Sequence, residues 1–206
     1  IPVVGIAKKV EIMDKRMREI MASEEKSGFF IRDYICGLFS YASNRIFEIS
    51  DHIYSIDDAM KAGYAWTYGP FEFWDMIGLK EGAQLARSLG ESLPEWVDEM
   101  IASGITGFYK SEDGKRKYYD LITKTYQVLP GTENNIHLDN YRSQAVLYKN
   151  SECALHDIGD GVLCFEFTSK SNAIGEGIGE GIMEALNMAS NGNWAGIVIG
   201  NNAKNF

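Results

Sequence analysis

Gly175, Gly177, Gly179 and Gly181 lie between an apolar run and a helical pattern, where a glycine-rich loop would cradle a pyrophosphate. That chemistry needs G-x-G-x-x-G. Here position 180 is Glu180, and no acidic ribose ligand ends the next apolar run, so the spacing argues against a dinucleotide site. Lys115, Arg116 and Lys117 offer positive charge for a phosphate, but they read first as the solvated edge of a strand. His52, His137 and His156 stand singly. Acid–base work would need a carboxylate or nucleophile beside one of them, which sequence alone does not place. Cys36, Cys153 and Cys164 are odd in number and lack paired metal-ligand spacing, so they read as small buried apolar groups in a reducing compartment. No residue is promoted to a catalytic or metal-binding role.

The bulk composition is that of a soluble globular chain of one or two domains, with 45% hydrophobic and 24% charged residues among 206. A net charge of −9 argues against a nucleic-acid surface or a polybasic membrane surface, while leaving room for a local basic pocket. There is no run of about 18 apolar residues and no signal-peptide pattern, so the expected location is the cytoplasm. The chain begins at Ile1, without a methionine, and is expected to be a piece of something longer.

Positioning elements are densely specified between Ser55 and Gly78. Ser55 with Asp58 predicts the cap of a short helix stopping at Gly63. Gly69, Pro70 and Glu72 then predict a second helix start, with Gly78 as its stop. Before this stretch, Val10, Met13, Met17, Ile20 and Met21 form one amphipathic helix. A long helix follows, in which Ile31, Ile35, Leu38, Ala42 and Ile46 line one face and Phe30, Tyr34 and Tyr41 the other. Both faces are expected to be buried, as at the centre of a bundle. After Gly78, Lys80–Leu89 predicts a helix closed by Gly90, and Ser92-Leu93-Pro94-Glu95 a capping box starting another at Pro94. Asp113-Gly114 is a hairpin signal between aromatic pairs, and periodicity is lost from Pro130 to Tyr141.

The order IDDAMKAG, then GPFEFWDMIG, resembles the C-terminal helical domain of 3-hydroxyacyl-CoA dehydrogenases of fatty acid β-oxidation, over most of Phe29–Asp120. In that family the long helix opens with a glycine and apolar residues followed by asparagine and arginine, the asparagine helping to hold the catalytic site. Here Gly28-Phe29-Phe30-Ile31 is followed by Arg32 and Asp33. The departure makes the chain resemble the second, non-catalytic copy of the unit in the longer enzymes, which packs against the first. Asn44 and Arg45 are a displaced version of the motif or, mid-helix, a polar patch at a helix interface.

From Ser151, two strands around Gly159-Asp160-Gly161 predict a hairpin. A helix carrying Ile178, Ile182, Ala185, Leu186 and Ala189 follows, and then a buried strand over Ala195–Ile199. With TSKSNAI at Thr168–Ile174 and AGIVIGNNAKNF at the end, this resembles the start of the enoyl-CoA hydratase (crotonase) fold. The resemblance implies a backbone N–H at Lys170 or Ser171 as one half of an oxyanion hole, a role that fixed peptide donors suit.

The expected fold is mainly α: a helical dehydrogenase-like domain over 1–129, a linker over 130–150 and a truncated crotonase-like α/β segment over 151–206. The expected function is part of an NAD-dependent 3-hydroxyacyl-CoA dehydrogenase with a hydratase-like domain. NAD and acyl-CoA would serve the full-length protein, and no cofactor or metal would bind this piece. Its expected partners are an upstream NAD-binding domain, the first helical repeat and, in a homo-oligomer, other copies. The rival is a non-catalytic helical interaction or oligomerisation module.

Overall fold

The computed structural model describes residues 5, 7, 9, 10, 13–112, 115–136, 138, 141, 142 and 146–201. His137, the Asp113-Gly114 turn, the apolar start over 1–4 and the terminal 202–206 lie outside the described residues. The chain divides into two compact units, Ile1–Lys110 with Lys117–Leu129, and Ser111–Arg116 with Pro130–Phe206. The fold is mixed, with 48% helix and 19% strand in two sheets, which corrects the expectation of a mainly α protein. Two strands of only four residues each, Thr125–Val128 and Val146–Lys149, are too short to carry a readable period, and each is completed by pairing with a neighbour.

In the first unit, α1 (Met13–Ala22) and α2 (Lys26–Asn44) are followed by α3 (Ile53–Tyr64), α4 (Pro70–Ile77), α5 (Leu79–Ser88) and α6 (Glu95–Ala102). Strands β1 (Tyr109–Glu112), β2 (Lys115–Asp120) and β3 (Thr125–Val128) form a three-stranded sheet in that order. The α4 start is local chemistry: Gly69 is the N-cap, Pro70 stands at the first helical position, and Glu72 Oε2 accepts from the Gly69 N–H at 2.9 Å. Gly78, at φ 113°, ends the helix in a conformation that favours glycine.

Three boundaries differ from the sequence reading. α3 starts at Ile53, whose side chain is fully buried, with His52 rather than Ser55 at its cap. It runs through Gly63 and stops where Ala65 adopts a left-handed φ of 54°. α6 starts at Glu95, with Pro94 as the N-cap, and no side-chain capping box forms. The Ser92 carbonyl instead accepts from Ser40 Oγ (2.7 Å) and Asn44 Nδ2 (2.9 Å), tying the α5–α6 connection to α2.

The core of this unit is aromatic. Trp74 stacks on Phe39 of α2 with centroids 4.6 Å apart and meets Phe108 edge-on at 5.2 Å. Phe71 also packs on Phe108, at 5.0 Å, while Trp66 and Tyr68 pack on Phe73. Only one face of α2 joins this core. Phe30, Tyr34 and Tyr41 are 70%, 57% and 67% exposed, so the helix is not central to a bundle as expected. Aromatic character alone does not decide burial.

In the second unit, β4 (Val146–Lys149), β5 (Cys153–Asp157), β6 (Val162–Phe167) and β7 (Gly196–Gly200) form a sheet in that order. β5 and β6 make the antiparallel hairpin, and α7 (Glu176–Asn191) carries the chain over to β7, parallel to β6. Leu155, Phe165, Ile178 and Ala185 close the core between sheet and helix. Val198 and Ile199 of β7 are half exposed, against the expectation of a buried strand. Among the described residues, no helix is long and apolar enough to cross a membrane.

Candidate functional site

The candidate site of the first unit grows from the junction of α3 and α4. Asp57 is fully buried, and its carboxylate accepts from the Phe71 N–H (2.9 Å), the Glu72 N–H (3.2 Å) and the Tyr109 hydroxyl (2.7 Å). It thus satisfies donors at the start of α4 that have no partner inside the helix. Burial pushes the Asp57 carboxyl up to about 7, opposed by the hydrogen bonds from the Tyr109 hydroxyl and the Phe71 N–H, with the Glu72 charge adding to the rise and the Lys61 charge opposing it. Lys61 sits between Glu72 (3.3 Å) and Asp58 (2.9 Å), and these carboxylates outweigh burial to raise its pKa. One turn later, Asp75 accepts from the N–H groups of Phe108 (2.7 Å) and Tyr109 (2.8 Å).

Beside this network lies a cleft of about 330 Å³ lined by Met13, Tyr34, Ile35, Trp66, Thr67, Tyr68 and Phe73. Its walls offer rings, a thioether and hydroxyls but no imidazole, carboxylate or amine. Such a wall binds an apolar or planar group without moving a proton at neutral pH. Asp57 is not part of that lining, and its oxygens are committed to the fold. Spacing did not reveal this role, because its donors come 14 and 15 residues later.

The departures from the family motif have structural places. Arg32 donates to the carbonyls of Met21 (2.6 Å) and Ser23 (2.5 Å) and lies over the Phe29 ring, fastening the end of α1 to α2. Asp33 is exposed. Asn44 is occupied by Ser40 and Ser92, as a polar contact between elements, and Arg45 pairs with Glu48 at 2.6 Å. His52 Nδ1 is 3.5 Å from Asp120, and its ring stacks on Tyr54. Cys36, Cys153 and Cys164 are buried and free, and burial raises all three thiols, Cys36 to about 11. Thiols so raised are poor nucleophiles. Among the described residues, no cluster of three His, Cys, Asp or Glu could hold a metal.

In the second unit the glycine run makes room for a protein carboxylate. A Cβ on Gly175 would run into Glu152, and Glu152 Oε2 accepts the Ile178 N–H at 3.1 Å near the start of α7. Asn150 braces the same corner by donating to the Gly177 carbonyl (2.7 Å) and accepting from the Glu152 and Cys153 N–H groups. The positive end of α7 therefore faces an anion from the chain itself. Gly181 is bare because a side chain there would meet Cys153 and Phe165.

His156, read as solitary, has a buried partner. Its Nε2 lies 2.8 Å from Glu166 Oε2, with both side chains fully buried, and Arg142 forks onto the same carboxylate. Burial favours the neutral acid, but the hydrogen bonds from Arg142 and His156 outweigh it and hold Glu166 below the usual carboxylate range. The sheet register makes the pair: Ala154 is opposite Glu166 and His156 opposite Cys164, so His156 and Glu166 share one face. Lys170 and Ser171 lie in an exposed 3-10 turn over Lys170–Asn172, with Ser171 at φ 56°. Their N–H groups open that turn and so precede its internal hydrogen bonds.

The chain is similar in sequence to proteins named for fatty acid chemistry. Over its full length the chain is 37% identical to the protein of Bacillus subtilis (strain 168) named "Probable 3-hydroxyacyl-CoA dehydrogenase", covering 26% of it. It is 25% identical over 183 residues to the "Putative fatty acid oxidation complex trifunctional enzyme" of Rickettsia prowazekii (strain Madrid E), and 24% over 185 residues to the protein of that name in Rickettsia felis (strain ATCC VR-1525 / URRWXCal2). These matches take in 89% and 88% of the chain and 22% of each relative. The chain thus spans about a quarter of the length of the curated relatives it matches. No protein-family model matches it.

Proposed function

We propose that the chain is the second, non-catalytic helical repeat of an NAD-dependent 3-hydroxyacyl-CoA dehydrogenase, joined to the beginning of a hydratase-like segment. The observation that carries this reading is Arg32. Where a catalytic copy would present an asparagine to the substrate, this chain has a guanidinium tied to the carbonyls of Met21 and Ser23. The exposed stripe of Phe30, Tyr34 and Tyr41 supports the companion role, a face that packs on the first helical repeat. The hydride transfer, the NAD and the acyl-CoA then belong to the longer protein. The rival, a purely structural interaction module, shares that stripe and differs in predicting no turnover by the longer protein either.

The test compares the 206-residue chain with the longer protein. Oxidation of 3-hydroxybutyryl-CoA, followed by NADH absorbance, is expected from the longer protein and not from the chain. Calorimetric titration of the chain with NAD is expected to be flat, and crotonyl-CoA is not hydrated by it. Micromolar NAD binding by the chain, or turnover comparable to that of the longer protein, would overturn the reading.

A further inference from the structure

A second cavity, of about 350 Å³, opens between the C-terminal half of α2 and α3. We propose that it is a binding site for an amphipathic carboxylate, with Arg45 holding the head and the cavity taking an apolar chain. Leu38, Ala42, Ile56, Ala59 and Met60 make its walls, and among the described residues Arg45 is its one cationic lining residue. The two alanines create the space, since a larger side chain at either position would fill it. At about 30 Å³ per small group, as for a water in the liquid, the volume holds roughly ten to twelve heavy atoms. That lies at the lower end of the range for small-molecule sites.

Arg45 supplies the charge argument. One guanidinium nitrogen pairs with the exposed Glu48, while Nε is buried and has no hydrogen-bond partner among the described residues. A buried donor left unpaired is costly, and a carboxylate oxygen at the inner side of the guanidinium would satisfy it. The wall is also held in an unusual backbone. Phe47 adopts φ 67°, donates its N–H to the Ser50 carbonyl at 2.8 Å, and so turns the chain back to bring Ile49 and Ser50 to the rim. Bulky residues in that region persist where the surroundings demand them, often at ligand sites. An uncharged amphiphile would leave Arg45 Nε unpaired, so the head group and not the chain alone sets the preference.

Octanoate, with ten heavy atoms, is the probe. The 206-residue chain is titrated with octanoate and separately with 1-octanol, reading the methyl resonances of Ile56 and Met60. Saturable shifts are expected for octanoate, with binding at least fivefold weaker for octanol. Arg45→Gln is expected to weaken octanoate at least tenfold without changing octanol. Ala59→Trp, at an exposed helical position that fills the cavity, is expected to abolish both while circular dichroism stays unchanged. Equal binding of octanoate and octanol, an Arg45→Gln protein that binds octanoate normally, or no saturation in the millimolar range would overturn the proposal. So would a concentration-dependent dimer, lost in Tyr41→Asp, that excludes octanoate, because the occupant would then be a second copy.

Discussion

Replacing Asp57 with asparagine tests whether a buried carboxylate organises the first unit at an electrostatic cost. The pKa of Asp57 rises from 3.8 to about 7 because burial disfavours the charged form. Between these values the unfolded chain has released the proton and the folded chain still binds it, so stability falls as pH rises from about 4 to about 7. Above that it is flat in this group. At about 1.4 kcal/mol per pH unit, the interval amounts to on the order of 4 kcal/mol. Asparagine keeps an acceptor for the Phe71 N–H but cannot ionise. It also leaves the Glu72 N–H without its acceptor, at about 1–3 kcal/mol throughout the range. Urea unfolding of both proteins at several pH values from 4 to 8 separates the effects, because the lost hydrogen bond shifts every midpoint while the lost charge removes a slope. The wild type is expected to be the more stable near pH 4, the two curves to cross as pH rises, and the asparagine protein to be the more stable by about 1–3 kcal/mol near pH 7. A difference constant with pH would refute the reasoning.

Trp74→Ala removes a ring stacked on Phe39 and the donor to the Leu79 carbonyl, and it is expected to cost about 3–5 kcal/mol in denaturant unfolding. Gly69→Ala places a Cβ against Asp57 and is expected to lower stability by about 1–3 kcal/mol, whereas Gly63→Ala, with open space within helix α3, is expected to raise it by about 0.5–1 kcal/mol. Thermal unfolding of the pair reads the contrast directly. Arg142→Met leaves Glu166 buried with His156 alone and is expected to cost about 3–5 kcal/mol at neutral pH. Because the Glu166 pKa is lowered in the folded state, its stabilisation is lost as pH falls through the folded value, and the variant's acid unfolding is expected to be less steep.

What the sequence revealed depended on how local the cause was. The Gly69-Pro70-Glu72 start and the Gly159-Asp160-Gly161 turn were legible because the residues that form them lie within a few positions. The β6–α7–β7 order was legible from periodicity, and its parallel pairing follows from the crossover. Asp57 was not legible, since its third donor is Tyr109, 52 residues away. His156 and Glu166 were separable only by knowing the register, which places them on one face. The α2 aromatics misled because a ring-rich face reads as core whether another domain covers it or not. The Lys170 and Ser171 assignment rested on resemblance alone, with no residue pattern to test it.

The parallel closure of β7 has a consequence for how the second unit is assembled. β5 and β6 meet through a turn of a few residues, but β7 joins β6 only after the chain has passed through all of α7. Non-local pairing carries its loop entropy before any contact rewards it, so the last strand is expected to join late in refolding. It is also the terminal strand of the sheet order, with Val198 and Ile199 half exposed. During that delay its apolar backbone edge and that of β6 are open to strands of other molecules. Refolding yield of the chain should therefore fall with concentration while its equilibrium stability does not, which places the vulnerability in the kinetics of one strand.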